Sequence, residues 1–134
     1  MPMIQLIYDI PDNQSMGLGW QDLVMVRKRL EAMEAIEISK SLGNETRMNI
    51  LHWLKEPDIH FPAPRTCGLE DWHQGVCVQV IQEKAGVSQS VCSGYLAAMQ
   101  RAGLLNSQRS GKWTYYKRNE ETIKEFAAFL QQEL

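Results

Sequence analysis

The stretch from Gly86 to Arg118, GVSQSVCSGYLAAMQRAGLLNSQRSGKWTYYKR, restricts the fold more than any other part of the chain. It has the pattern of a helix, a short strand, a tight turn and a second strand. Ser88 suits an N-cap, because its hydroxyl oxygen can accept from an orphan backbone N–H in the first helical turn. Cys92, Leu96 and Met99 recur at i, i+4 and i+7 and make one apolar stripe. Ser90, Ser93, Gly94, Ala97 and Arg101 form the other face, all small except the last, which is a cation. Gly103 fits the position just beyond the helix, where a left-handed backbone favours glycine. Ser110-Gly111 is a hairpin signal between strand-like runs ending at Arg109 and starting at Lys112. A helix with a small polar face can press into a DNA groove, and a basic hairpin beside it can reach phosphates. The stretch therefore predicts a winged helix-turn-helix.

Charge supports this once it is counted locally. The whole chain carries a net charge of −2, which argues against a general nucleic-acid sponge. Between Gly86 and Arg118 the charged residues are Arg101, Arg109, Lys112, Lys117 and Arg118, with no Asp or Glu. Such segregation suggests one DNA-facing surface on an otherwise ordinary protein, although Lys and Arg also protect a solvated edge hairpin.

A length of 134 residues fits one domain with a core of its own. No run approaches the roughly 18 apolar residues of a membrane span. The start, MPMIQLIYDI, lacks a basic region and makes a poor signal peptide. Three cysteines without an export signal point to a reducing cytoplasm and free thiols. Residues 1–19 read as an arm, broken by Pro11, Asp12, Asn13, Gly17 and Gly19, with Met16 a second candidate start. Residues 20–134 form the domain.

Within the domain, a helix is expected from Gln21 to Leu42, with Leu23, Val26, Leu30, Met33 and Ile38 along one face. Asn44 should cap the next helix, which turns Met48, Ile50, Leu51 and Leu54 inward. Pro57, Pro62 and Pro64 make Glu56 to Gly75 irregular, with Phe61 as its buried anchor. Val76 to Ala85 reads as a helix, with Val78, Ile81 and Ala85 inward, and Gly86-Val87 turns into Ser88. A last helix from about Glu120 carries Ile123, Phe126, Ala127, Leu130 and Leu134 as a stripe, widened by Phe129. An exposed apolar helix on a small domain usually meets a partner. The fold class is thus α+β, mostly α: a winged helix-turn-helix with a two-stranded wing and flanking dimerisation helices.

From roughly Ile36 onward the chain resembles the arsenic-repressor (ArsR) family of bacterial regulators. SLGNETRMNIL, from Ser41 to Leu51, is similar to that family's "LADPTRLRIL", and VSQSVCSGYL, from Val87 to Leu96, to its "SQSTVSHHL". Ala102 to Leu105 matches "AGLV", and GKWTYYK, from Gly111 to Lys117, matches the wing "GRWVYYR". The resemblance implies a homodimer, joined through its first and last helices, that represses transcription until an effector binds. The family's metal-binding "ELCVCDL" corresponds here to GVCVQVI, Gly75 to Ile81. Cys77 holds the place of the first thiol and Gln79 that of the second. The last helix has no histidine, so neither of the family's usual metal sites is intact.

Cys67, His73 and Cys77 form a separate candidate effector cluster. They could bind a soft metal, Cys67 and Cys77 could form a disulfide, or Cys77 could simply pack in the core. A bond made there would tilt Val78 and Ile81 and so change DNA affinity. No cofactor and no resident metal are expected.

Three functions are weighed. The first is a cytoplasmic, sequence-specific transcriptional repressor whose partners are a pseudo-palindromic duplex and a second copy of the chain, with no membrane. The second is a winged helix that binds protein, and the third a thiol or metal enzyme built on the cysteine cluster. The enzyme fares worst, since no general base or phosphate-binding loop accompanies those residues. On the leading reading, Gln89, Ser90, Ser93 and Ala97 meet base edges, with Ser88 and Gly94 on the same DNA-binding surface. Arg101, Arg109 and Lys112 meet phosphates or the minor groove.

Overall fold

Capping residues and glycines set several of the boundaries between elements of the fold. The structure, a computed structural model, describes residues 30–62, 67, 69 and 71–134. The expected arm, and Leu23 and Val26 of the expected first helix, lie outside the described residues. In chain order the elements are α1 (Ala32–Ser41), α2 (Glu45–Trp53), α3 (Pro57–His60), β1 (Val76–Cys77), α4 (Val78–Ala85), α5 (Gln89–Arg101), β2 (Leu105–Ser110), β3 (Trp113–Arg118) and α6 (Glu120–Glu133).

α1 does not continue a helix from Gln21, because Leu30 and Glu31 are non-helical. The Glu31 amide donates to the Glu34 carboxylate at 3.1 Å, one arm of a capping box, and the chain enters the helix there. That entry sets the phase: Ala35, Ile38 and Ser41 turn inward, and Met33, expected inward, is exposed. Asn44 caps α2 as expected, its side-chain oxygen accepting from the Arg47 amide at 3.0 Å. Ile50, Leu51 and Leu54 are buried, whereas Met48 faces out. The proline-rich connection still holds one turn of helix, α3, begun by Pro57. Phe61 anchors it, buried edge-on between Trp53 and Trp72, each 6.4 Å away by ring centroid.

Val76 and Cys77 are a correction to the expected Val76–Ala85 helix. They form a strand, pairing antiparallel with Tyr116 and Tyr115, before α4 begins at Val78. Gly75 makes this possible: at φ 121° it lies so near β3 that a Cβ would come within 2.9 Å of the Tyr116 carbonyl oxygen. Val80 and Ile81 become the buried side of α4, and Val78 and Ala85 are half-buried. The two-stranded wing therefore belongs to a three-stranded antiparallel sheet of order β1-β3-β2. The wing turn is Gly111-Lys112, one residue later than expected, because Ser110 still pairs with Trp113.

α5 carries the core. Cys92, Leu96 and Met99 are fully buried, together with Ile38, Ile50, Ile81 and Leu104. The helix ends as expected at Gly103. There the Leu104 amide donates to the Met99 carbonyl and the Gly103 amide to the Gln100 carbonyl, both at 2.9 Å. This is the two-bond Schellman ending. α6 departs from its expected stripe: Ile123, Phe126 and Phe129 pack half-buried on the core, while Ala127, Leu130 and Leu134 are exposed.

Burial pushes the Cys92 thiol above its ordinary value of 9.0. Burial, and next the charge of a Cys92 thiolate, push the Tyr116 phenol above 10.0. The folded chain thus keeps protons that the unfolded chain releases in alkali. Stability from both groups is complete below their unfolded pKa values and is lost as pH rises through the folded ones. The melting temperature should be level between about pH 7 and 8 and fall beyond about pH 9. Cys92→Ala, although less stable at neutral pH, should show a shallower fall in the same thermal scans.

Candidate nucleic-acid interface

α4, the Gly86–Ser88 turn and α5 form the helix-turn-helix. Gly86 supplies the left-handed residue at φ 68° that ends α4. The Ser88 hydroxyl accepts from the Val91 amide at 3.2 Å and lies 3.3 Å from the Ser90 hydroxyl. With the Cys92–Leu96–Met99 stripe facing the core, Gln89, Ser90, Ser93, Gly94 and Arg101 are exposed and Ala97 is half-buried. A Cβ added at Gly94 would meet nothing within 4 Å, so the helix is at its thinnest there without being crowded. The next residue, Tyr95, is half-buried, with the Arg47 guanidinium 5.1 Å from its ring centroid.

The wing tip lies against this helix pair. A cleft of about 450 Å³ is lined by Val78, Gln79 and Gln82 of α4, Gln89 and Ser93 of α5, and Lys112, Trp113 and Thr114 of the hairpin. Its walls supply amides, hydroxyls and one ammonium, and no carboxylate. Gln89, Ser93 and Lys112 were expected from sequence; Gln79, Gln82 and Thr114 were missed. The available signal was the i, i+3 spacing of Gln79 and Gln82, away from the apolar Val80 and Ile81. Lys112 also places its ammonium 5.3 Å from the Trp113 ring centroid.

The remaining cations divide. Arg109 and Lys117 are exposed on the wing strands. Arg118 is occupied: its guanidinium donates to the Leu51 carbonyl at 3.2 Å and to both Glu120 carboxylate oxygens at 2.9 and 3.1 Å. Arg101 is not brought to the wing. It lies twelve residues along α5 from Gln89, about 18 Å at the helical rise. There it lines a separate cleft of about 290 Å³ with Glu37, Lys40 and Arg47.

The structure joins Cys67 and Cys77 in a disulfide, so the expectation of free thiols holds for Cys92 but not for this pair. The physical reason is that residue 67 packs onto the sheet: the Tyr115 hydroxyl donates to the Cys67 carbonyl at 2.9 Å, beside β1. His73 is exposed, and its backbone N–H donates to the Asp71 carboxylate at 2.8 Å. In this form both sulfurs of the Cys67–His73–Cys77 trio are bonded to each other. Among the described residues no group of three or more His, Cys, Asp or Glu side chains could hold a metal ion. No described helix is long and apolar enough to cross a membrane.

Comparison with known proteins agrees with this architecture. No protein-family model matches the chain. The chain is 51% identical over 102 residues to YbzH of Bacillus subtilis (strain 168), an uncharacterised HTH-type transcriptional regulator. That alignment spans 76% of this chain and all of the relative. It is 30% identical over 87 residues to ArsR2 of Halobacterium salinarum, described as a candidate arsenical resistance operon repressor, across 65% of this chain and 60% of that one. Among solved structures, the homodimeric winged helix-turn-helix DNA-binding domain Mb0332 of Mycobacterium bovis superposes with a TM-score of 0.52 at 22% identity, covering 86% of this chain and 85% of the other.

Proposed function

The chain belongs to the ArsR family of winged helix-turn-helix transcriptional regulators, and we propose that it acts in the cytoplasm as a homodimeric repressor on a pseudo-palindromic DNA site. The observation that carries this reading is the acid-free cleft where the exposed face of α5, the outer face of α4 and the wing tip converge. The start of α5 enters the major groove, and Gln89 has the amide that pairs bidentately with adenine. Ser88, Ser90, Ser93, Gly94 and Ala97 let the helix approach closely while offering few donors, so the direct code is short. Gln79 and Gln82 extend the polar wall from the preceding helix, which in this motif crosses the backbone. Arg109 and Lys112 meet phosphates or the minor groove at the wing, and Arg101 a phosphate further along the duplex.

The second copy is supported by apolar surface that one protomer leaves uncovered. α1 and α6 are in contact, and they expose Met33 and Ile36 on one and Leu130 and Leu134 on the other, Leu130 at 40% and Leu134 at 89%. A two-fold pair joined there would present two recognition helices to successive half-sites.

Two measurements test the proposal. Three cations in each of two protomers give about six phosphate contacts, so log affinity for duplex DNA should fall with log salt at a slope of about −5. Replacing Arg109 and Lys112 together by alanine should flatten that slope by three to four, roughly 0.9 per lost contact, and weaken binding to all sequences alike. Salt-independent binding by the parent sinks the reading. In sedimentation the parent should be a dimer at micromolar concentration and Leu130→Asp a monomer. Because Leu130 is exposed in the protomer, the circular dichroism of that variant should stay native. A monomeric parent excludes the two-fold arrangement.

A further inference from the structure

We infer that Cys67 and Cys77 form a reversible thiol–disulfide site through which redox state sets the DNA affinity of the interface; the inference rests on the DNA-binding reading above for its output. Cys77 serves three structural roles at once. It ends β1, it is the strand partner of Tyr115 in β3, and it is the N-cap residue of α4. Cys67, ten residues earlier, bonds covalently to Cys77 and accepts the Tyr115 hydroxyl at its carbonyl. The buried Tyr115 is thus held by both half-cystines, one through its side chain and one through its backbone. From Tyr115, β3 runs back to Trp113 and Thr114, which with Lys112 make one wall of the cleft. From Cys77, α4 runs on to Gln79 and Gln82, which make another. The two walls meet at the disulfide.

Besides the bond, the walls are joined by one short strand pairing and by the packing of α4 on β3 in the shared core. β1 is two residues long, well below the usual strand length. With the bond closed, the wing and α4 are fixed relative to each other before DNA arrives, and binding does not have to order them. With the bond open, that ordering is left to the association step. The oxidised form should therefore bind more tightly. In a protein that works on DNA in a reducing compartment, a disulfide is more often a redox sensor than a permanent staple.

The chemistry balances with a hydroperoxide as oxidant. One thiolate attacks the peroxide oxygen, giving a sulfenic acid and releasing an alcohol, or water from hydrogen peroxide. The second thiolate then displaces the hydroxyl, forming the S–S bond and releasing water; the two sulfurs together give up two electrons. A dithiol reverses the bond through a mixed disulfide and is itself oxidised to a disulfide. Both cysteines are buried, so each direction passes through a locally opened state and is slow.

The test uses the full chain, oxidised with hydrogen peroxide or reduced with dithiothreitol, its state checked by intact mass. Affinity is measured at one salt concentration for a duplex selected from a random pool by the oxidised protein and again by the reduced protein. The expected result is binding about tenfold weaker after reduction, within the range of ordinary coupling between sites. Re-oxidation should restore it. Hydrogen exchange supplies a readout without DNA: reduction should speed exchange at Tyr115 and Tyr116 while the amides of Leu96 and Met99 keep their protection. The double substitution Cys67→Ala and Cys77→Ala should bind like the reduced parent and ignore both reagents. If it fails to fold, the parent compared in its two states still decides. Equal, salt-dependent binding by both forms, or tighter binding by the reduced form, overturns this inference and leaves the DNA-binding reading standing. Absence of any DNA binding in both states removes that reading and this inference with it.

Discussion

The burial of Cys92, Leu96 and Met99 is the interaction on which the rest of the structure depends. All three side chains are fully buried, and each large one contributes roughly 1.5–3 kcal/mol by leaving water. α1, α2, α4 and β2 all pack on the helix that carries them. Because every anchor sits on one stripe, the opposite face of α5 owes nothing to stability. Serines, glycine and alanine can occupy it without harm to the core. Holding the helix and presenting its surface are separate tasks on two sides of one element.

A second separation runs through the sheet. β3 is the strand shared by β1 and β2, so the wing is not a free hairpin but the outer edge of a sheet that also reaches the start of the helix-turn-helix. Along β3, Tyr115 points into the core while Trp113 and Tyr116 are half-buried. The aromatic residues therefore serve chiefly as packing, and the polar tip is left to Gly111 and Lys112. Gly111 takes the left-handed φ of 61° that a two-residue turn needs at its first position.

Most of this was legible in the sequence, for identifiable reasons. The caps at Asn44 and Ser88, the glycine ends at Gly86 and Gly103, and the stripe of α5 are local signals, and they read true. β1 was not legible, because a two-residue strand has no period of its own. Val76 and Cys77 look like the first turn of α4 until β3 is placed beside them. Met33 and Met48 were assigned inward from phase alone, and the true phase was fixed by caps, at Glu31 for one. Gln79 was read as a missing thiol ligand, and only the nearness of the wing gives it a place in a polar wall. Arg101 and Arg118 looked equivalent to Arg109 as basic residues of one segment. Twelve helical residues place Arg101 at the far end of α5, and a carboxylate with a carbonyl occupies Arg118.

That last arrangement has a mechanical consequence. Arg118 closes β3, yet its guanidinium grips the end of α2 through Leu51 and the start of α6 through Glu120. The root of the hairpin is thereby tied to the end of α2 and to the start of the helix bearing the uncovered leucines. Because only Asn119 separates Arg118 from Glu120, whatever sits against the far side of that helix stands one residue from the root of the hairpin.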